Sequence, residues 1–412
     1  RRMHRNLLAA GATSSEVTLT EVPGKEHWWW DTVQPNDGGA VNDLEIRNFM
    51  KAAISQAAGS HHLPLKWRHV VYNPASASSK GGARILQQLI PLRQSAVEIV
   101  AELGEQSTLQ IQTLNVRRLA WASRSLHELV ETHGGTSDSV MLDGQRLQIA
   151  SKEQFVFWCN DDLRWFECED NLDFTRIQRS PATLGPMRQL FSKPACAIFG
   201  DGDDKSMEAA LYVANLLVMT GHGHMALLPA SSVMKNGEIA GPRFCHHLLV
   251  VGGPAQNPVA GVLLKSRTDL KYVPPIAISD VDGQRKLTLD RCSWTGPDTA
   301  ALALLPWWHA NDSNASPRLA LLAAGTTSEA TAEALSILAT PTIPPMTRQP
   351  LTHLLPDYVV ADVASMRLKG AGGFLAAGYW GHRWQTHPQS SWHARCRTSH
   401  QRQGEDGRKV EL

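Results

Sequence analysis

Three short apolar runs beyond residue 190 each stop at glycine: Ala195 to Gly200, Leu248 to Gly253 and Leu319 to Gly325. Runs of this length fit strands buried on both faces, and glycine suits the turn that must follow. Two of them lead into helical patterns. One places Met207, Leu211, Ala214 and Val218 on a face, and the other extends from Ser328 through Leu338. Repetition of strand, glycine and helix predicts a parallel, doubly wound α/β domain over residues 183–385.

A chain of 412 residues exceeds one typical core, so two or three units are expected. Ahead of the α/β region, residues 64–182 contain short β-rich runs separated by turn residues: Arg68 to Tyr72, Val97 to Leu103, Thr108 to Leu114, Val140 to Leu142 and Phe155 to Cys159. This spacing predicts an antiparallel β domain. Residues 1–58 read as helix, strand, loop and helix. Met3, Leu7 and Leu8 share a face, Val17 to Val22 is β-rich, and Ile46, Phe49, Met50 and Ile54 recur at helical spacing behind a capping pair, Asn42 and Glu45. The fold class is therefore mixed α/β. Residues 386–412, rich in Ser, His, Arg and Gln, are expected to be a disordered tail.

Lys and Arg number 40 against 39 Asp and Glu, a balance that gives no electrostatic case for nucleic acid or a membrane surface as partner. No apolar stretch approaches the ~20 residues of a membrane helix. The six cysteines are widely spread, without zinc-knuckle spacing, and leave the redox compartment open. Asn311-Asp312-Ser313 and Asn314-Ala315-Ser316 fit the glycosylation acceptor pattern, which has meaning only for a secreted protein. The first residues read as the interior of a helix without a signal peptide, so a fragment of a longer protein is expected.

The stretch from Glu21 to Asp31 concentrates the chemistry. His27 lies in a loop directly after a β-rich run and ahead of an amphipathic helix. The histidine of a Ser-His-Asp triad occupies such a loop in α/β-hydrolases, where the chain order is serine, acid, histidine. From there an imidazole reaches over the sheet edge, takes a proton from serine and returns it to the leaving group. A loop histidine beside three tryptophans is the alternative reading.

Pro23-Gly24-Lys25-Glu26-His27-Trp28-Trp29 resembles the end of the catalytic region in large multidomain prolyl oligopeptidase-type serine peptidases, of the α/β-hydrolase superfamily. Asn36-Asp37-Gly38-Gly39 and the helix ending near Phe49 continue the resemblance. Tyr72-Asn73-Pro74-Ala75-Ser76, Asn115-Val116-Arg117-Arg118, Leu184-Gly185-Pro186-Met187-Arg188 and Pro356-Asp357-Tyr358 extend it along most of the chain. It implies that residues 1–58 are the C-terminal end of a catalytic domain, with His27 as triad histidine and a peptide or other acyl substrate. The serine and acid would lie before Arg1.

The chain departs from that family's pattern in one respect that decides its own chemistry. No Gly-x-Ser-x-Gly elbow occurs, and Asp31, Asp37 and Asp43 follow His27, in the wrong order for the acid. Without the nucleophile the chain by itself is expected to be inactive. A non-catalytic ligand-binding or structural module, or part of an esterase or lipase, are the alternatives.

Other groups favour structural readings, and neither cofactor nor metal is expected. Trp28 to Trp30 suit packing better than a flat sugar platform. Gly200, Gly202, Gly252, Gly253 and Gly325 lack a dinucleotide or phosphate-loop spacing. Asp201, Asp203 and Asp204 suit a helix start. His222 with His224, and Cys245 with His246 and His247, lack the second half of a zinc site. Ser192, Ser206 and Ser328 lack an elbow and suit local hydrogen bonding to backbone.

Overall fold

The computed structural model describes residues 1–9, 17–21, 23, 44–57, 67–77, 79–100, 108–132, 138–149, 154–168, 174, 176–219, 223–281, 283–310, 317–339 and 355–394. The chain divides into two compact units, Arg1–Leu63 and Pro64–Leu412.

In the first unit, helix α1 (Arg2–Ala9) and helix α2 (Leu44–Ala57) form where the apolar spacing places them. Their apolar side chains are not covered: Met3 is 75% exposed, Phe49 46% and Ile54 68%. The expected strand does not form within Val17–Glu21. A β-rich segment needs a neighbouring strand to satisfy its backbone groups, and none pairs with it among the described residues.

The second unit begins with two small sheets. Strands β1 (Trp67–Val71), β2 (Ala83–Gln88), β3 (Ser95–Val100), β4 (Leu109–Leu114) and β5 (Val116–Ala122) precede helix α3 (Ser123–Thr132). After it come β6 (Ser139–Leu142), β7 (Gln145–Gln148), β8 (Phe155–Asp161) and β9 (Arg164–Glu167). One sheet has the order β1-β3-β4-β6-β7, the other β2-β5-β8-β9. All pairs are antiparallel except β4 with β6, which are separated in sequence by β5 and α3 and can therefore run parallel. The two sheets meet where the rings of Trp67 and Trp121 lie 5.8 Å apart, both buried.

The remaining elements are built around an eight-stranded sheet. In chain order they are β10 (Ala195–Phe199), α4 (Asp204–Met219), β11 (Ala226–Pro229), α5 (Ala230–Val233), β12 (Met234–Lys235), β13 (Glu238–Ile239), β14 (His247–Val251) and α6 (Pro258–Leu263). There follow β15 (Ile276–Val281), β16 (Gln284–Leu289), β17 (Cys292–Trp294), β18 (Thr299–Trp307), β19 (Arg318–Gly325) and α7 (Ser328–Ala339). The last are β20 (Tyr358–Asp362), α8 (Val363–Lys369), β21 (Phe374–Trp380) and β22 (Thr386–His393). The large sheet has the order β11-β10-β14-β19-β18-β20-β21-β22.

The three glycine-terminated runs are its neighbouring parallel strands β10, β14 and β19, with β11 parallel beside β10. The sheet is nevertheless mixed and not parallel throughout. β18 pairs antiparallel with β19, and β20, β21 and β22 continue antiparallel. The cause is a short connection: Trp307 sits opposite Arg318, so the chain turns back as a hairpin with no room for a helical crossover.

Two further expectations are corrected. Thr386–His393 is strand β22 and not disordered tail, because its backbone finds partners on β21; residues 395–412 lie outside the described residues. Helix α4 also presents a different face from the one expected. It buries Ser206, Ala209, Ala210, Val213, Ala214 and Leu217, and leaves Met207, Leu211 and Val218 exposed. Small side chains let the helix approach the sheet closely, which wins over burying the longer ones.

Candidate ligand-binding cleft

The segment after β9 is pinned to the large sheet by a buried ion pair. Arg179 and Asp357 are both fully buried, with Nη1 donating to Asp357 Oδ2 at 2.6 Å. Arg179 also donates to the carbonyls of Thr183 (3.1 Å), Trp380 (2.7 Å) and Leu184, and its guanidinium lies 5.0 Å from the Trp384 ring centroid. Asp357 Oδ2 accepts a second bond from the Trp380 N–H at 2.8 Å. A Cβ on Gly185 would lie 1.9 Å from Asp357 Oδ1, and this residue has φ +77°, so only glycine fits.

That pin positions one wall of a cleft of about 600 Å³. Pro181, Gly185, Pro186, Gln189, Phe191 and Lys193 line it from this segment, while Asn73, Ala75 and Ser76 line it from the loop after β1. The two walls are joined by Asn73 Nδ2, which donates to the Gly185 carbonyl at 3.2 Å. Gln189 closes the turn by accepting from the Gly185 N–H and donating to the Pro181 carbonyl.

The end of the cleft is the amino-terminal edge of the parallel strands, where His246, His247 and Pro317 line it. Ala195 is in register with His247, and Leu248 with Ala320, so Lys193, His247 and Arg318 stand at the starts of three adjacent strands. Pro194 O accepts the N–H groups of both His246 and His247 at 3.0 Å. The two rings meet edge to face at 4.6 Å.

His247 is 2% exposed. Its Nδ1 accepts from the Leu319 N–H at 3.0 Å, which fixes the neutral tautomer with the proton on Nε2. That Nε2 has no hydrogen-bond partner among the described residues, and Nη1 of Arg318 is likewise buried without one. Burial, then the nearby His246 and Arg318, push the His247 imidazole down to about 3. Burial, followed by Arg318 and Lys193, also lowers His246.

The residues singled out by sequence are distributed unevenly relative to this cleft. His27, Trp28 to Trp30, Asp31, Asp37, Asp43, His222 and both glycosylation tripeptides lie outside the described residues. Cys245 is bonded to Cys196, so its sulfur is no thiolate for a metal beside His246 and His247. Cys159 is bonded to Cys168, Cys292 is also disulfide-bonded, and no described cysteine is free. Asp203 accepts from the Ser206 N–H and hydroxyl at the start of α4, and Asp201 accepts from Ser231. Ser192 donates to the Gln189 carbonyl. The cleft itself was not foreseen: its histidines stood in the sequence only as an incomplete zinc motif, and their alignment with Lys193 and Arg318 depends on strand register.

No family model matches the chain. No solved structure matches it either. An uncharacterized secreted protein of Arthroderma benhamiae is 21% identical over 162 residues, a stretch that covers 39% of this chain and 16% of that protein.

Proposed function

We propose that this chain is part of a secreted serine-type hydrolase, a peptidase of prolyl oligopeptidase resemblance, in which His27 is the triad histidine. Residues 64–412 serve in it as a non-catalytic, ligand-holding module. The observation that carries the catalytic assignment is the Pro23-Gly24-Lys25-Glu26-His27-Trp28-Trp29 stretch. The exposed apolar faces of α1 and α2 support it, since helices that cover a larger hydrolase sheet have such faces.

In that role His27 takes the proton of a serine as it attacks the acyl carbon and returns it to the leaving group, while an acid holds the tautomer. Both partners would come from sequence outside these 412 residues. Secretion is supported by the oxidised state of every described cysteine and by the printed name of the Arthroderma benhamiae protein.

The test is twofold. The isolated chain is expected to take up no fluorophosphonate active-site probe, and labelling of it would contradict the absence of a nucleophile. In a longer protein containing the upstream sequence, His27→Ala is expected to lower kcat by about six orders of magnitude. Unchanged turnover of the folded variant would remove His27 from the reaction.

A further inference from the structure

The cleft carries an assignment that does not depend on His27. No described residue lining it is acidic, while Lys193, Arg188, His246 and His247 all contribute nitrogen. Arg318 adds a guanidinium at the start of β19, the strand next to the one that His247 opens. Cationic groups gathered at one sheet edge repel each other, and an anion among them relieves that repulsion.

The remaining wall is of a different kind. Phe191, Pro181, Pro186, Pro317 and Ala75 present carbon surface. An inorganic ion would leave that surface idle. A neutral imidazole donor with few cations suits a single negative charge better than a doubly charged, strongly hydrated phosphate.

We infer that this cleft binds a small organic carboxylate, its carboxylate held at the sheet edge by Lys193 beside His246, and its apolar body lying against Phe191 and the prolines. A pocket of this size, lying between two sheet systems, mostly apolar and with a few convergent polar groups, is the usual form of a small-molecule site.

The experiment uses the whole chain and N-acetylphenylalanine as probe, with its carboxamide and inorganic phosphate as comparisons. Binding is followed by calorimetry and by the ring ¹⁵N signals of His246. The acid is expected to bind with Kd on the order of 1 mM, shift the ring signals of His246, and weaken with added salt. The carboxamide is expected to bind at least tenfold more weakly. Lys193→Gln, at an exposed position where folding is not at stake, should weaken the acid about tenfold, and Arg318→Gln should act in the same direction. No saturable binding of the acid, equal binding of acid and carboxamide, or phosphate binding as tightly as the acid would each overturn the assignment.

Discussion

Asp357 meets a guanidinium that lies 178 positions away in the chain, together with the backbone of Trp380 and a glycine with no room for a side chain. Removing one partner of a fully buried ion pair strands the other charge, which costs about 3–5 kcal/mol. Asp357→Ala is therefore expected to lower unfolding free energy by about that amount in urea titration. Gly185→Ala should be comparably damaging, since it forces both a clash and a left-handed backbone onto alanine. A loss below about 1 kcal/mol for both variants would show that the pin is dispensable. Leu184-Gly185-Pro186 and Pro356-Asp357-Tyr358 stood out in the sequence, yet their meeting did not. Contacts between distant segments leave no periodicity to read, whereas a glycine-terminated strand announces itself locally.

At the level of elements, the β10, β14 and β19 strands were legible because each is buried on both faces and so is apolar beyond the His247 and Arg318 that open β14 and β19. β18 is just as buried and still escaped notice, because Pro306 and Trp307 end it where glycine ends the others. Three of the four residues expected on the buried side of α4 are exposed for a related reason: length of side chain is visible in sequence, and closeness of approach is not. The Cys196–Cys245 bridge ties the first parallel strand to the entry of its neighbour across 49 positions, a closure worth about 4 kcal/mol by chain entropy.

The same elements carry a pH dependence. Burial, aided by Arg117 and Arg383, pushes His382 in the turn before β22 down to about 4, and His247 at the start of β14 titrates at about 3. An unfolded imidazole accepts a proton near pH 6.5, while these two resist it in the fold. Their contribution is thus complete above pH 6.5 and declines as pH falls toward 4 and 3, by roughly 1.4 kcal/mol per unit for each group fully withheld. The thermal midpoint should fall over that range, and His382→Gln should flatten the fall. A midpoint that rises or stays level between pH 6.5 and 4 would contradict this.

For the molecule as a whole, the large sheet ends in two edges with different histories in the sequence. β11 was part of the expected α/β region, but β22 lay in a stretch whose polar composition suggested no structure at all. Polar composition is what an outermost strand requires, since one side of it faces water and its free backbone groups invite unwanted pairing. Pro229 in β11 and Pro388 in β22 each remove a backbone donor from those borders. The sheet is in this sense self-limiting: its outermost rows are poor templates for another chain. Ending the protein at residue 385 would uncover β21, Phe374–Trp380, a more apolar row of nearly the same length with every donor intact. That shortened chain is expected to form aggregates under conditions where the full chain stays dispersed, as light scattering at equal concentration would show, so the few residues that looked most expendable act as the molecule's guard against its own copies.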